Sequence, residues 1–392
     1  MPLSALEAMR FSSRIPSSLQ TSPLVEQLRQ MQLIDLTCSN PTRCGLTYPV
    51  QSLADALSSP DPLSYSPSAL GKLEARAAIA RCAREETTAD QVVLCASTSE
   101  AYAWVFKLFC EANELVAYPA PSYPLISVIG ELEATVPVSY RLAFDGQWEI
   151  DLASLEARVE QGARVIVMVQ PNNPTGSCVS VEQGIQLADL CARYDAIAIS
   201  DEVFAPYARQ PMPALGRCFA GKAPLICLDG LSKGLGLPGA KLSWMIVRGA
   251  DLACRQSIIE RLEWVADAFL SVSALIQNAT PRLMEIAPVV QRRINSRVLE
   301  NQATLKEALG RVPSVDLLPS MGGWSAVLRL PRTRNDDELV LWLAREAHVF
   351  VHSGYFYDFA GEGYVVISLL GDPAELAASA ERLVDLFLRE YG

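Results

Sequence analysis

Histidine is nearly missing from this 392-residue chain, which has only His348 and His352. Two imidazoles are too few for a histidine-based metal site and give poor support to a Ser-His-Asp triad, so any catalytic base must be of another kind. Basic charge is also short. Lys and Arg total 33 against 44 Asp and Glu, a net charge of -11, which argues against a nucleic-acid or anionic-membrane partner because both require a basic face. No window approaches a run of about 18 uncharged apolar residues, and the start, MPLSALEAMRFSSRIPSS, lacks a continuous apolar core of signal-peptide length. The chain is therefore expected to be soluble and cytoplasmic, with a small molecule as its ligand. The ten cysteines include no C-x-x-C pair, so neither a zinc ribbon nor a disulfide framework is indicated.

What the chain has is material for a large core. Hydrophobic residues make up 50% and charged residues 20%, and the length suggests two domains. Short apolar runs recur: QVVLCA (91–96), NELVAY (113–118), ARVIVMVQ (163–170), DAIAIS (195–200), PLICLD (224–229) and KLSWMIV (241–247). Helical patterns such as EAYAWVFKLFCEA (100–112) and VEQGIQLADLCARY (181–194) lie between them. Uninterrupted apolar strands separated by helices predict an α/β architecture, a mainly parallel sheet covered on both faces. Residues 281–309 read as one or two helices leaving that sheet. WSAVLRL (324–330), a helix over 336–347, HVFVHS (348–353), YVVISLL (364–370) and a terminal helix from Pro373 then predict a smaller α+β unit. The division expected is a large domain over 48–284 and a small one formed by 1–47 with 285–392.

In an open parallel sheet, ligands sit at the carboxyl ends of the strands, where helix N-termini offer free N–H groups. Four strand ends here carry polar residues. After QVVLC come Ser97 and Thr98, leading into a helix and suited to hold a phosphate. After ARVIVMV comes QPNNPTG, presenting Asn173. After DAIAIS comes Asp201, and after PLICLD comes GLSK, with Lys233. Taken singly, each has a structural reading, as a helix cap or a turn. Together they form a phosphate cradle, an amide, a carboxylate and a lysine.

The order and spacing of NNPTG (172–176), SDE (200–202) and SK…PGAK (232–241) resemble the fold-type-I pyridoxal-phosphate enzymes, specifically the class I/II aminotransferase family. The resemblance runs from about Asp35 to the C-terminus and includes YSPSALGKLEAR (65–76). It implies a seven-stranded, mainly parallel sheet in the large domain and pyridoxal 5'-phosphate as cofactor. It implies that Lys233 forms the Schiff base with the cofactor and shuttles a proton, which requires a lysine pKa lowered from about 10.4. By the same resemblance Asp201 pairs with the pyridine nitrogen, Asn173 donates to the ring oxygen and Tyr123 stacks on the ring. Ser97, Thr98, Ser232 and Lys241 gather the phosphate. Tyr65 reaches the cofactor of a neighbouring subunit, which implies a homodimer with shared active sites.

Four positions depart from the family pattern. Phe204 stands where a tyrosine usually donates to the ring oxygen, and Gly230 where a phosphate-binding serine is common. Lys241 replaces an arginine, keeping the charge but losing the bidentate fork. Val366, in GEGYVVISLL, replaces the arginine that pairs with the substrate carboxylate. Either another cation does that work, with Arg43 of SNPTRCG as the candidate, or the substrate has no carboxylate there. HVFVHSGYFYDF is expected to line the same side, bringing His352, Tyr355 and Tyr357 to the substrate. The reaction implied is transfer of an amino group between an amino acid or amine and a keto acid or aldehyde. The alternative is a lyase, cyclase or decarboxylase using the same cofactor chemistry, and a non-catalytic binding relative is a third reading.

Overall fold

The computed structural model of the chain describes residues 11–16, 23–58 and 66–392. A short β1 (Ile34–Asp35) is followed by β2 (Val92–Cys95), β3 (Leu115–Ala120), β4 (Val136–Phe144) and β5 (Trp148–Ile150). Next come β6 (Ala163–Val169), β7 (Ile197–Asp201), β8 (Pro224–Gly230) and β9 (Ser243–Gly249). From β2 onward these strands form one sheet in the order β2-β9-β8-β7-β6-β3-β4-β5. Neighbours from β8 to β4 run parallel, while β9 is antiparallel to β8 and β2, and β5 to β4. Every residue of β2, β7 and β9 is buried, as expected for a sheet covered on both faces.

The sheet has seven main strands and one more than expected, the three-residue hairpin strand β5. β4 does not read as an apolar run because Pro137 interrupts it and its burial is mixed. Proline is tolerated there because the strand lies next to the sheet edge. The helices follow the sequence pattern closely. Val181–Tyr194 starts at a capping box formed by Ser180 and Gln183, and Asp336–Ala347 at one formed by Asn335 and Glu338.

A second sheet contains β10 (Asp316–Leu317), β11 (Ser325–Arg329), β13 (His352–Ser353) and β14 (Tyr364–Ser368), with β12 (Val349–Phe350) just before β13. Its order is β10-β11-β14-β13, all antiparallel. β12 pairs instead in parallel with β1, which ties the N-terminal segment to this unit. The pattern over 281–309 is part of a single 36-residue helix, Ala274–Leu309. It packs against Leu73–Cys82 beside the large sheet and against the terminal helix Pro373–Tyr391. The expected division at 284/285 therefore falls inside one continuous helix. The strand register sets Val366 opposite both Val327 and His352. All ten cysteines are free thiols. Among the described residues no helix is long and apolar enough to cross a membrane.

Candidate active site

A cavity of about 320 Å³ opens at the carboxyl ends of β6, β7 and β8, bounded on the far side by β11, β13 and β14. It gathers residues that lie far apart in the chain. Thr98, Tyr123, Asn173, Asp201, Phe204 and Lys233 all line it, and His352, Tyr357 and Val366 close the opposite side.

Lys233 sits on the helical turn Leu231–Gly234 that follows β8. The phenol of Tyr207 donates to the Lys233 carbonyl at 2.7 Å, fixing the turn. Its Nζ lies 5.2 Å from the Trp324 ring centre and 5.7 Å from that of Phe204. Burial lowers the amine's pKa, partly offset by the charge of Asp201. A buried amine released from its proton is the nucleophile that a carbonyl cofactor requires. Of the glycines around it, Gly230 is required by the packing of Ser243 and Gly236 by its backbone conformation. A Cβ on Gly230 would lie 2.2 Å from Ser243 Oγ. Gly236 has a φ of +61° and is packed so closely that Tyr48 donates to its carbonyl at 2.8 Å.

Asp201 ends β7 and is 8% exposed. Burial pushes its carboxyl up to about 6, against two donors that favour the charged form. These are the Tyr102 phenol at 2.8 Å from Oδ2 and the Val203 amide at 3.2 Å from Oδ1. Asn173 accepts at Oδ1 from Ser325 Oγ at 3.2 Å, which orients the amide and leaves its nitrogen as the donor for a ligand. Ser122, next to Tyr123, donates its backbone N–H to the Tyr357 carbonyl at 2.9 Å, so the Tyr123 loop is tied to the 354–357 segment. Tyr123 itself is 46% exposed, edge-on to Phe356. His352 stacks on Phe356 at 4.6 Å, and burial lowers its pKa.

Several expected residues lie elsewhere. Ser97 does not line the cavity because its Oγ caps the helix Thr98–Phe109, accepting from the Glu100 amide at 3.1 Å. Ser232 and Lys241 also lie outside the lining. Lys241 is exposed in a left-handed conformation, with φ +50°. It remains near the end of β2: burial pushes the Cys95 thiol up while the Lys241 charge pulls the other way. Tyr355 is 77% exposed, and its neighbours Phe356 and Tyr357 take the inward positions. Arg43, expected to replace the carboxylate-binding arginine, is exposed and outside the cavity. On the short turn Pro41–Arg43, Pro41 points inward and Arg43, two residues on, faces away. Thr37 and Ser39 of the same segment reach the cavity instead. Tyr65 lies outside the described residues.

Tyr102, Trp324, Ser325 and Phe356 belong to the site without having been singled out in the sequence. Tyr102 had a usable signal, since it follows Thr98 by four residues on one helix and so shares its face. Trp324 and Ser325 read only as the start of a strand.

The residues present fit pyridoxal phosphate. A buried amine and a buried carboxylate share one cavity with an amide donor fixed by Ser325. The start of the Thr98 helix lies at its edge, with the Thr98 and Ser99 N–H groups unpaired among the described residues.

Residues 32–383 match the family described as Aminotransferase class I and II. The chain is 25% identical over 378 residues to a tyrosine aminotransferase of Caenorhabditis elegans, covering 92% of this chain and 80% of that one. It is 26% identical over 377 residues to an alanine aminotransferase of Mycobacterium tuberculosis, covering 92% and 86%. Among solved structures, an alanine aminotransferase from Pyrococcus furiosus superposes with a TM-score of 0.84 at 20% identity, covering 97% of this chain and all (100%) of that one.

Proposed function

Because this chain belongs to the class I and II aminotransferase family, whose members depend on pyridoxal phosphate, we propose that Lys233 is the catalytic base of an amino-group transfer in the cavity between the two sheets. The observation that carries this reading is the placement of the Lys233 amine in the cavity, between Phe204 and Trp324, with Asp201 in the same lining.

When bound, pyridoxal phosphate supplies an electron sink for negative charge developing on the substrate carbon. The chain supplies the rest. Lys233 Nζ, whose pKa is lowered by burial, takes a proton from that carbon and returns it. Asp201 provides the buried negative charge that pairs with a cationic ring nitrogen, and the Tyr102 donor helps it stay ionised. Asn173 offers its amide nitrogen to the ring oxygen. No tyrosine supplements it at position 204, so the Ser325–Asn173 pair carries that donation without a phenol. Trp324 and Phe204 set aromatic faces beside the amine and confine its position.

Supporting a homodimer is the exposure of apolar side chains around residues 264–275, with Trp264 80% exposed and Phe269, Leu270 and Leu275 nearby. This patch lies next to the segment that begins at Ser66, just after Tyr65. Light scattering should give twice the mass of 42.7 kDa, and a monomer would count against shared sites.

The test of the reaction is spectroscopic. Protein loaded with the cofactor should be yellow, lose its visible band in Lys233→Ala, and convert to the pyridoxamine form with an amino donor. Recovery of the band on adding a keto acid or aldehyde marks transamination. Release of ammonia or carbon dioxide without conversion would mark the lyase or decarboxylase alternative, and a protein that never takes up the cofactor would sink both.

A further inference from the structure

We infer that the amino donor of this site is a primary amine with an apolar or aromatic body and no carboxylate on the carbon that bears the nitrogen. The inference deepens the aminotransferase reading and rests on it. Its basis is the scarcity of cations on the cavity wall, together with the direction in which four of its hydroxyl groups donate.

Four hydroxyls on the wall donate to acceptors within the protein, while those of Ser39, Thr98, Tyr123 and Tyr357 have no acceptor among the described residues. Thr37 Oγ1 donates to Asp35 at 2.6 Å, and Ser122 Oγ to the Asn172 side chain at 3.1 Å. Ser325 Oγ donates to Asn173 at 3.2 Å, and Ser368 Oγ to the Cys38 carbonyl at 2.7 Å. Each hydroxyl has one hydrogen, so all four present lone pairs to a ligand. The Tyr102 phenol is spent in the same way on Asp201.

Positive charge is equally scarce. Among the described residues that line the cavity, Lys233 is the one lysine or arginine, and it is required for the cofactor. Residues 1–10, 17–22 and 59–65 contain one basic side chain, Arg10. His352 is kept toward its neutral form by burial, and its strand partner across the wall is Val366, 2% exposed. A carboxylate seated here would lose its water with neutral hydroxyls as donors and no arginine or lysine to pair with, which is unfavourable. An amine meets acceptors for its N–H groups. The remaining surface, from Tyr123, Leu125, Ile126, Phe356 and Trp324, is suited to an apolar or aromatic body.

The chemistry balances with a carbonyl acceptor as co-reactant. The amine R–CH2–NH2 becomes the aldehyde R–CHO, oxidised by two electrons, while an acceptor R'R''C=O becomes the amine R'R''CH–NH2, reduced by two. The nitrogen and the carbonyl oxygen exchange places with no net water.

The test uses matched donors that differ only in the carboxylate: 2-phenylethylamine against phenylalanine, and hexylamine against 2-aminoheptanoate. Conversion of the loaded wild-type enzyme to its pyridoxamine form is followed in a single turnover. The amine of each pair should react with a rate constant over KM at least about tenfold higher. An amino acid that equals or outruns its amine overturns the inference while leaving the aminotransferase reading intact. No conversion with either member of both pairs overturns the two together. A binding measurement adds an independent readout: calorimetric titration with 3-phenylpropionate should show no binding in the millimolar range, and saturable binding would overturn the inference. In Val366→Arg, where a cation is added to the wall, the preference within each pair should move toward the amino acid. An unmoved preference in folded, cofactor-loaded variant would count against a wall that selects by charge.

Discussion

The phenol of Tyr102 donates a 2.8 Å hydrogen bond to Oδ2 of Asp201, joining a helix to a strand end 99 residues away. Burial alone would push this carboxyl higher, and the Tyr102 donor opposes that. In Tyr102→Phe the Asp201 pKa should therefore rise further above its present value of about 6. A hydrogen bond to a charged group contributes about 1.5–3 kcal/mol, so cofactor affinity at neutral pH should fall by at least about tenfold. The pH midpoint of cofactor binding should shift upward. Fluorescence titration of the apoprotein across pH measures both, and an unchanged midpoint would remove Tyr102 from control of Asp201.

Gly230 stands where the family commonly has serine, and the reason is steric. Its φ of −177° is open to any residue, but an added Cβ would lie 2.2 Å from Ser243 Oγ and 2.9 Å from Ser243 Cβ. Gly230→Ser should destabilise by about 1–3 kcal/mol, the usual range for overpacking. Adding Ser243→Gly removes both contacts and should restore most of the loss. Denaturant titration of the single and double variants decides the matter, and a single variant as stable as wild type would refute the steric account.

Asp229 lines a second cavity, of about 280 Å³, together with Arg84 and Glu202. Burial raises its carboxyl to about 8, with Glu202 and Asp201 adding to the rise and the Gly230 amide opposing it. The folded pKa is above the ordinary value of 3.8, so the unfolded chain releases this proton first. Stability is then fully present below that ordinary value and is lost progressively as pH rises toward 8. Asp229→Asn should stabilise the protein, and the gain should grow between pH 5 and pH 8 by up to about 1.4 kcal/mol per unit. Thermal unfolding at the two pH values checks this, and an equal effect at both would contradict the assignment.

Arg43 faces solvent at the end of its turn. Arg43→Ala should leave KM for any carboxylate-bearing donor or acceptor within about twofold of wild type, as is usual for a surface change remote from special features. A rise of tenfold or more, with the cofactor spectrum unaltered, would return Arg43 to the substrate site.

Much of the large-sheet side of this cavity was legible in the chain itself. Lys233, Asp201, Asn173 and Thr98 sit where apolar strand runs stop and helices begin, and the periodicity that reveals those ends is a local property of the sequence. The helices Val181–Tyr194 and Asp336–Ala347 were legible to the residue because their caps are local as well. Only the tertiary structure decided the substrate side. Whether Arg43 or Pro41 turns inward, and whether Tyr355 or Phe356 faces the cavity, depends on packing against distant segments. The direction of a hydroxyl depends on the acceptor beside it, as with Ser325 and Asn173 at 152 positions' separation and Ser368 and Cys38 at 330. The chain therefore determines which cofactor chemistry is available, through residues placed by strand ends. The folded wall determines what that chemistry acts on, because donors, acceptors and charges are counted only after distant parts of the chain have met.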